Sequence, residues 1–181
     1  MNIVLYGEEK LLLAQRLEDL KKKYQCTSDD MNYMVYHAGE TPMKEIIEDA
    51  LTQPFLTEYK MVVLKNPIFL TKEKPKKKLV TDEDIKLFLD YIEHDNPTTI
   101  FVIYQDQRNF DERKKVVKSL RKHAKWYEME KLTFDQLYKT TREAIIRRNA
   151  SIDDDALTLL LDRCGNDLLT ISNQVEKLCL Y

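Results

Sequence analysis

The first residues that could bind a ligand are 7–11, where a β-rich run meets a predicted helix. A strand that turns through a glycine into a helix is where many nucleotide-binding proteins hold phosphate. A P-loop requires G-x-x-x-x-G-K-S/T, but residues 7–11 read Gly-Glu-Glu-Lys-Leu. Glu8 and Glu9 put negative charge where the anion would bind. The sequence therefore predicts that this strand–turn–helix unit does not bind ATP. An ATPase of the same fold is the alternative.

Metal and nucleophile chemistry are not indicated elsewhere in the chain. The three histidines (His37, His94 and His123) are scattered, and no cysteine accompanies them at ligand spacing. No G-x-S-x-G nucleophile elbow occurs. We therefore expect no catalytic residue, no metal and no cofactor.

Phe55 and Leu56 stand together after Pro54, between a predicted helix and a predicted strand. One interpretation is that both are core, because large apolar side chains are usually buried. The other is an exposed pair that fills a hydrophobic pocket on a partner, since polar Thr57 and Glu58 follow directly. Burial of such a pair on a partner is worth on the order of 3–5 kcal/mol, enough to anchor a complex.

A third candidate is the cationic segment from residue 113 to residue 125. It contains Arg113, Lys114, Lys115, Lys118, Arg121, Lys122 and Lys125. A solvated outer helix face is one interpretation, because acidic residues elsewhere balance these charges. Salt-dependent contact with nucleic-acid phosphates is the other. The lysine-rich loop at 72–78 has the same two interpretations.

The elements that carry these residues alternate between strand and helix through residue 132. Strands are predicted at 3–6, 33–36, 61–64, 98–104 and 126–129, and helices after Gly7 to Tyr24 and at 41–51, 81–92 and 113–124. Thr41 is the predicted cap of the second helix, which Pro54 stops, and Thr81 with Asp84 is the predicted capping box of the third. Alternation of this kind predicts an α/β fold with a parallel sheet and helices on both faces.

Three further helices are predicted at 134–148, 153–163 and 167–181, with Asp153 and Asp167 as caps and Gly165 as a terminator. We therefore predict two domains, an α/β domain over 1–132 and a three-helix domain over 133–181.

The composition of the 181 residues is that of a globular chain. Charged residues make up 33%, but the net charge of −2 gives no global field for nucleic acid or membrane. The three cysteines form no C-x-x-C pair, which is typical of reduced thiols. No apolar run approaches the length of a membrane span, and the first residues do not read as a signal peptide. These features predict a cytoplasmic protein.

Four segments, taken in order, resemble the delta subunit of the bacterial DNA polymerase III clamp loader. They are residues 3–9, residues 53–56 with 61–64, residues 113–120, and residues 165–168 with 176–178. The resemblance implies an AAA+-like domain with a five-stranded parallel sheet and no working P-loop, followed by a small helical lid domain. It also implies a C-terminal collar domain, which these residues do not include, so that the chain would be a fragment.

The function that the resemblance implies is non-catalytic. The family binds the ring-shaped sliding clamp and opens one of its interfaces for loading onto primed DNA. The subunit would be associated with nucleotidyltransferase activity only as a part of the DNA polymerase III holoenzyme. The clamp contact would fall on Gln53, Pro54, Phe55 and Leu56, and the collar would join the other loader subunits. Family members commonly have a second Phe where this sequence has Leu56, and a basic residue where it has Glu58.

Overall fold

The computed structural model describes residues 1–26, 31–73 and 80–180. They form two compact units, Met1–Met129 and Glu130–Tyr181. The structure thus divides after Met129, whereas the sequence predicts a boundary after residue 132. Most of the predicted lysine-rich loop, residues 74–78, lies outside the described residues.

The first unit is built on a parallel five-stranded sheet with the strand order β2-β3-β4-β1-β5. The strands are β1 (Asn2–Gly7), β2 (Tyr33–His37), β3 (Lys60–Lys65), β4 (Thr99–Gln105) and β5 (Ala124–Met129). All five predicted strands are present, and the parallel pairing follows from the helical crossovers between them. The interiors of β1, β3 and β4 are apolar because both faces of the sheet are covered.

The helices of the first unit are α1 (Lys10–Lys23), α2 (Met43–Leu51), α3 (Asp82–Glu93) and α4 (Lys115–His123), with a short 3-10 helix at Ile68–Leu70. The predicted cap at Thr81 is confirmed, because Thr81 and Asp84 form a reciprocal capping box. The predicted cap at Thr41 is wrong. Pro42 occupies that position, and Thr41 instead forms a backbone bridge with Ala38.

The core of the first unit consists of two apolar layers, one on each face of the sheet. In β1, Ile3 and Leu5 point to one layer, while Val4 and Tyr6 point to the other. The first layer is closed by three leucines of α1 (Leu13, Leu17 and Leu20), whose spacing of four and three residues puts them on one face of the helix. Helices α2, α3 and α4 close the second layer. Burial of each leucine contributes roughly 1.5–3 kcal/mol to the free energy of unfolding relative to an exposed one, and this stabilises the sheet.

The second unit contains helices α5 (Phe134–Ile146), α6 (Asp154–Cys164) and α7 (Leu168–Leu178). Gly165 ends α6 with φ +64°, and the Asp167 carboxylate accepts a hydrogen bond from the Thr170 amide at the start of α7. Asp153 stands at the cap position of α6, but its side chain makes no capping hydrogen bond. Among the described residues, no helix is long and apolar enough to cross a membrane.

We predict that Gly7→Ala lowers the free energy of unfolding of the first unit by at least about 2 kcal/mol. Gly7 has φ +143°, and a Cβ there would lie 2.1 Å from the Met129 carbonyl oxygen. Urea unfolding followed by the fluorescence of Trp126, the single tryptophan of the chain, measures this unit because Trp126 lies in β5. An unchanged unfolding curve would contradict the prediction.

Candidate partner-binding site

Phe55 and Leu56 lie on the surface, in the loop formed by residues 52–59 between α2 and β3. Phe55 is 58% exposed and Leu56 is 90% exposed. The interpretation of this pair as core is therefore wrong. Neither side chain belongs to the two apolar layers of the core, and Leu56 has the left-handed φ of +57°. A left-handed leucine costs about 1–2 kcal/mol, so this backbone conformation needs support from its surroundings.

The first support of the 52–59 loop is the buried lysine Lys60, only 4% exposed, at the start of β3. Its ammonium group donates to the Asp49 carbonyl oxygen at 2.8 Å, to the Asp49 carboxylate at 2.7 Å and to the Thr52 hydroxyl at 2.8 Å. A buried cation is stable only when it is paired and hydrogen-bonded. Lys60 therefore fixes the last turn of α2 to β3.

The second support comes from Asn96, which precedes β4, and from Thr99, which begins it. The Thr99 hydroxyl donates to the Ala50 carbonyl at 2.7 Å, and the Asn96 amide donates to the Leu51 carbonyl at 3.2 Å. The last carbonyl groups of a helix have no partner within the helix. Side chains from outside the helix satisfy them here, so the point where the 52–59 loop leaves α2 is well defined.

The third support is Asn32, which is 2% exposed and stands just before β2. The Phe55 amide donates to Asn32 Oδ1 at 2.6 Å, and Asn32 Nδ2 donates to the Phe55 carbonyl at 2.8 Å. The Asn32 carbonyl also accepts from the Met61 amide at 2.7 Å, which ties Asn32 to β3. Both the amide and the carbonyl group of the Phe55 backbone are therefore hydrogen-bonded to Asn32.

Gln53 and Pro54 occupy the first part of the 52–59 loop. Gln53 is exposed and Pro54 is half-buried. Helix α2 ends at Leu51, and Thr52 is already extended with ψ 151°. The helix end predicted from Pro54 is consistent with this, since the residues before a proline avoid helical conformation. The four residues predicted to form the contact thus lie together on one loop.

The cationic segment is not the single helix that the sequence predicts. Helix α4 begins at Lys115, so Arg113 and Lys114 precede it, and Lys125 lies in β5. The Arg113 guanidinium donates to the Asp111 carboxylate at 2.9 Å and 3.1 Å, which places Arg113 in the turn before the helix. The hydrogen bonds from the guanidinium, together with one from the Arg113 amide, lower the pKa of Asp111 to about 2.

Two other cations of the segment are also engaged within the chain. Lys114 donates to the carbonyl oxygens of Phe69 and Thr71 at 3.0 Å and 2.7 Å. The guanidinium of Arg121 lies 3.5 Å from the centre of the Trp126 ring and donates to Glu112 at 2.6 Å. These contacts stabilise the packing around the 3-10 helix and the edge strand, and they leave Lys114 half-buried while Arg121 stays exposed.

Lys125 in β5 is exposed, and so are three cations on α4 that make no side-chain hydrogen bond within the described residues: Lys115, Lys118 and Lys122. Their spacing of three and four residues puts them on one face of α4. No ion pair of these three lysines is found among the described residues. This face therefore carries three lysines, fewer than the seven cations that the segment contains.

In the turn after β1, the backbone amides that could bind a phosphate already donate hydrogen bonds within the chain. The amides of Glu8 and Glu9 donate to the Met129 carbonyl at 3.0 Å and 3.1 Å. Glu9 is buried, and its carboxylate accepts from the Leu11 amide in the first turn of α1. An anion at this helix N-terminus would meet an acidic side chain in place of free amides. Over residues 1–26, 31–73 and 80–180, no group of His, Cys, Asp or Glu is arranged to hold a metal ion.

Comparison with known proteins gives the family. Residues 4–130 match the family model described as DNA polymerase III, delta subunit. The chain belongs to the DNA polymerase III delta subunit family. Its similarity to the DNA polymerase III subunit delta of Bacillus subtilis (strain 168) is 32% identity over 178 residues, covering 98% of this chain and 51% of that protein. The chain thus spans about half the length of this relative.

Solved structures support the same assignment. The Bacillus subtilis DNA clamp loader delta protein superposes with a TM-score of 0.78 at 32% identity, covering 99% of this chain and 52% of that one. A gamma subunit-related protein of DNA polymerase III from Thermotoga maritima gives a TM-score of 0.54 at 12% identity, with coverage of 96% and 53%. The Holliday junction branch migration motor of the same organism gives 0.56 at 12%, with coverage of 97% and 53%. The last two show the fold alone, and the predicted AAA+-like fold is confirmed.

We predict a pH-dependent contribution of the Arg113–Asp111 pair to stability. The pKa of Asp111 is lowered from 3.8 to about 2, so the pair stabilises the folded state fully above about pH 4 and progressively less as the pH falls toward 2. Arg113→Gln should therefore lower the free energy of unfolding at about pH 6, and this difference should shrink below about pH 4. Urea unfolding at a series of pH values measures it.

The control for this prediction is Lys115→Gln, which removes an exposed cation two residues further along the chain. It should show no comparable change between about pH 6 and pH 3. An Arg113→Gln effect that is the same at every pH would mean that the guanidinium acts through packing and not through the Asp111 carboxylate.

Proposed function

We propose that the chain binds a ring-shaped sliding clamp through Phe55 and Leu56, and that this binding helps to open one interface of the ring for loading onto primed DNA. The observation that carries the proposal is an exposed aromatic–aliphatic pair on a loop that is fixed at both ends and in its middle. Gln53 and Pro54 shape the approach to the pair. Family membership supplies the class of partner.

The energetics favour a docking role for this pair. Phe55 and Leu56 are exposed by 58% and 90%, so most of their apolar surface is available to a partner. Its burial is worth on the order of 3–5 kcal/mol. Because the loop is held by Asn32 and Lys60, little conformational entropy is lost when the pair enters a pocket, and preorganisation of this kind increases affinity.

Ring opening requires a difference in affinity between two states of the clamp. A chain that bound the closed and open rings equally well would not shift their equilibrium. We propose that contacts around the pair favour a ring with a strained or parted interface. The chain itself acts without catalysis, and ATP is bound elsewhere in the loader. The engaged amides after β1 and the buried Glu9 support this division of roles over an ATPase of the same fold.

A second candidate function is contact with primed DNA within the loader. The three exposed lysines of α4 favour it, because they share one face and could neutralise successive phosphates. Arg113, Lys114 and Arg121 are weaker candidates than the sequence suggests, since each is engaged within the chain. The other clamp-loader subunits remain proposed partners, for which the described residues offer no specific surface.

We predict that Phe55→Ala combined with Leu56→Ser weakens binding to a bacterial sliding clamp by about 100-fold or more, as expected for the loss of about 3 kcal/mol of apolar contact. Because both side chains are exposed, the free energy of unfolding should change by less than about 1 kcal/mol. Surface plasmon resonance with immobilised clamp measures the affinity, and thermal unfolding measures the stability.

Leu169→Ser is the matched control, because Leu169 is a 52% exposed leucine in the second unit. It should leave clamp affinity unchanged. Ring opening is read separately as release of clamp from circular DNA, which the wild-type chain should accelerate and the double variant should not. Undiminished binding by the double variant would refute the proposed contact.

For the second candidate, we predict that Lys115→Glu, Lys118→Glu and Lys122→Glu together weaken binding to primed DNA. The slope of log affinity against log salt should fall by about 2–3, corresponding to about three lost phosphate contacts. Fluorescence anisotropy at several salt concentrations measures both quantities.

The charge-matched control replaces three exposed lysines elsewhere in the first unit, namely Lys22, Lys44 and Lys86, by Glu. It changes the net charge equally but leaves the face of α4 intact. Equal weakening by both triple variants would show that only net charge matters, and no binding of primed DNA by the wild-type chain would remove this candidate.

A further inference from the structure

We propose that Asn32 is a positioning residue, which sets the affinity of Phe55 and Leu56 for their partner by holding the 52–59 loop in its binding geometry before the partner arrives. The inference rests on the proposed function, because it assigns to that contact a residue outside the loop. Asn32 does not itself need to touch the clamp.

The first argument is the geometry of the contact. Asn32 is 2% exposed, and both polar atoms of its amide bind the backbone of one residue, Phe55, at 2.6 Å and 2.8 Å. The pair of bonds is reciprocal, with one donated and one accepted, as between facing residues of a β-ladder. Rotation of the amide by 180° would set donor against donor, so the bonds fix the orientation of Asn32 as well as the position of Phe55.

The second argument concerns the hydrogen bonds that the described residues make at the middle of the loop. Among the described residues, no backbone–backbone hydrogen bond forms at residues 53–58. The Thr57 hydroxyl donates to the Tyr59 carbonyl, but this bond lies within the loop. Lys60 and Asn96 fix the end of α2, ahead of the apolar pair. Asn32 is thus the described side chain that connects the middle of the loop to the sheet.

The third argument is the backbone of Leu56, which follows Phe55 directly and has φ +57°. For a leucine this conformation is unfavourable by about 1–2 kcal/mol and persists only where neighbouring contacts impose it. Without the two bonds to Phe55, the loop would be free to relax to negative φ and redirect both side chains. The fraction of molecules able to bind would fall, and the apparent dissociation constant would rise in proportion.

The test compares Asn32→Ala with Asn2→Ala. Asn2 is equally buried, at 2%, and its amide donates to the carbonyls of Ile92 and His123, neither of which belongs to the 52–59 loop. Both variants should lower the melting temperature, because each leaves buried backbone groups unpaired. Only Asn32→Ala should weaken clamp binding, by about 10-fold, measured well below both melting temperatures.

Hydrogen exchange of the Phe55 amide gives a second readout that needs no clamp. This amide donates to Asn32 Oδ1. It should exchange faster in Asn32→Ala and at the wild-type rate in Asn2→Ala. If Asn32→Ala does not fold, Asn32→Asp serves instead. Aspartate keeps an acceptor for the Phe55 amide but sets a second acceptor against the Phe55 carbonyl, so clamp binding should still weaken.

The outcomes separate this inference from the proposed function. If the wild-type chain binds the clamp and Asn32→Ala binds equally tightly, the positioning role is overturned while the proposed function stands. An unchanged exchange rate of the Phe55 amide would overturn it as well. If the wild-type chain binds no clamp, the proposed function fails, and the inference falls with it.

Discussion

The parallel, in-register pairing of β2, β3 and β4 is the constraint on which the candidate site depends. Tyr33 pairs with Met61, and Lys60 pairs with Thr99, so the first residues of these neighbouring strands lie side by side at one edge of the sheet. Asn32 leads into β2, Lys60 begins β3 and Thr99 begins β4. All three bind the end of α2 or the 52–59 loop. A surface loop is thus anchored to the first residues of three adjacent strands.

Most of the fold could be predicted because its strands and helices are marked by local patterns. Buried parallel strands read as apolar runs, and the Thr81–Asp84 capping box is visible as a pair of residues. The exposure of Phe55 and Leu56 could not be predicted in the same way. Both residues lie on a loop whose backbone is hydrogen-bonded to Asn32, a residue distant in sequence that no local pattern marks before the fold is known. Thr41 failed as a cap for a related reason, since a backbone bridge to Ala38 engages it.

The cationic segment shows what a count of charges leaves out. Seven cations in thirteen positions suggest a single basic face, but Arg113, Lys114 and Arg121 bind a carboxylate, two carbonyl groups and an indole ring within the chain. Such contacts use the geometry and hydrogen-bonding capacity of the side chain as much as its charge. Lys115, Lys118 and Lys122 form an exposed i, i+3, i+7 set on α4, which the interpretation as a solvated outer helix face predicts.

The Met129 carbonyl that receives the amides of Glu8 and Glu9 lies at the carboxyl edge of the sheet, whereas the 52–59 loop lies at the amino edge. A strand of six residues separates these edges by roughly 20 Å. Substitution of the Glu8 or Glu9 side chain therefore removes none of the hydrogen bonds that hold Phe55. In this architecture the strand–helix turn can lack a phosphate site while the loop at the opposite edge keeps its own supports.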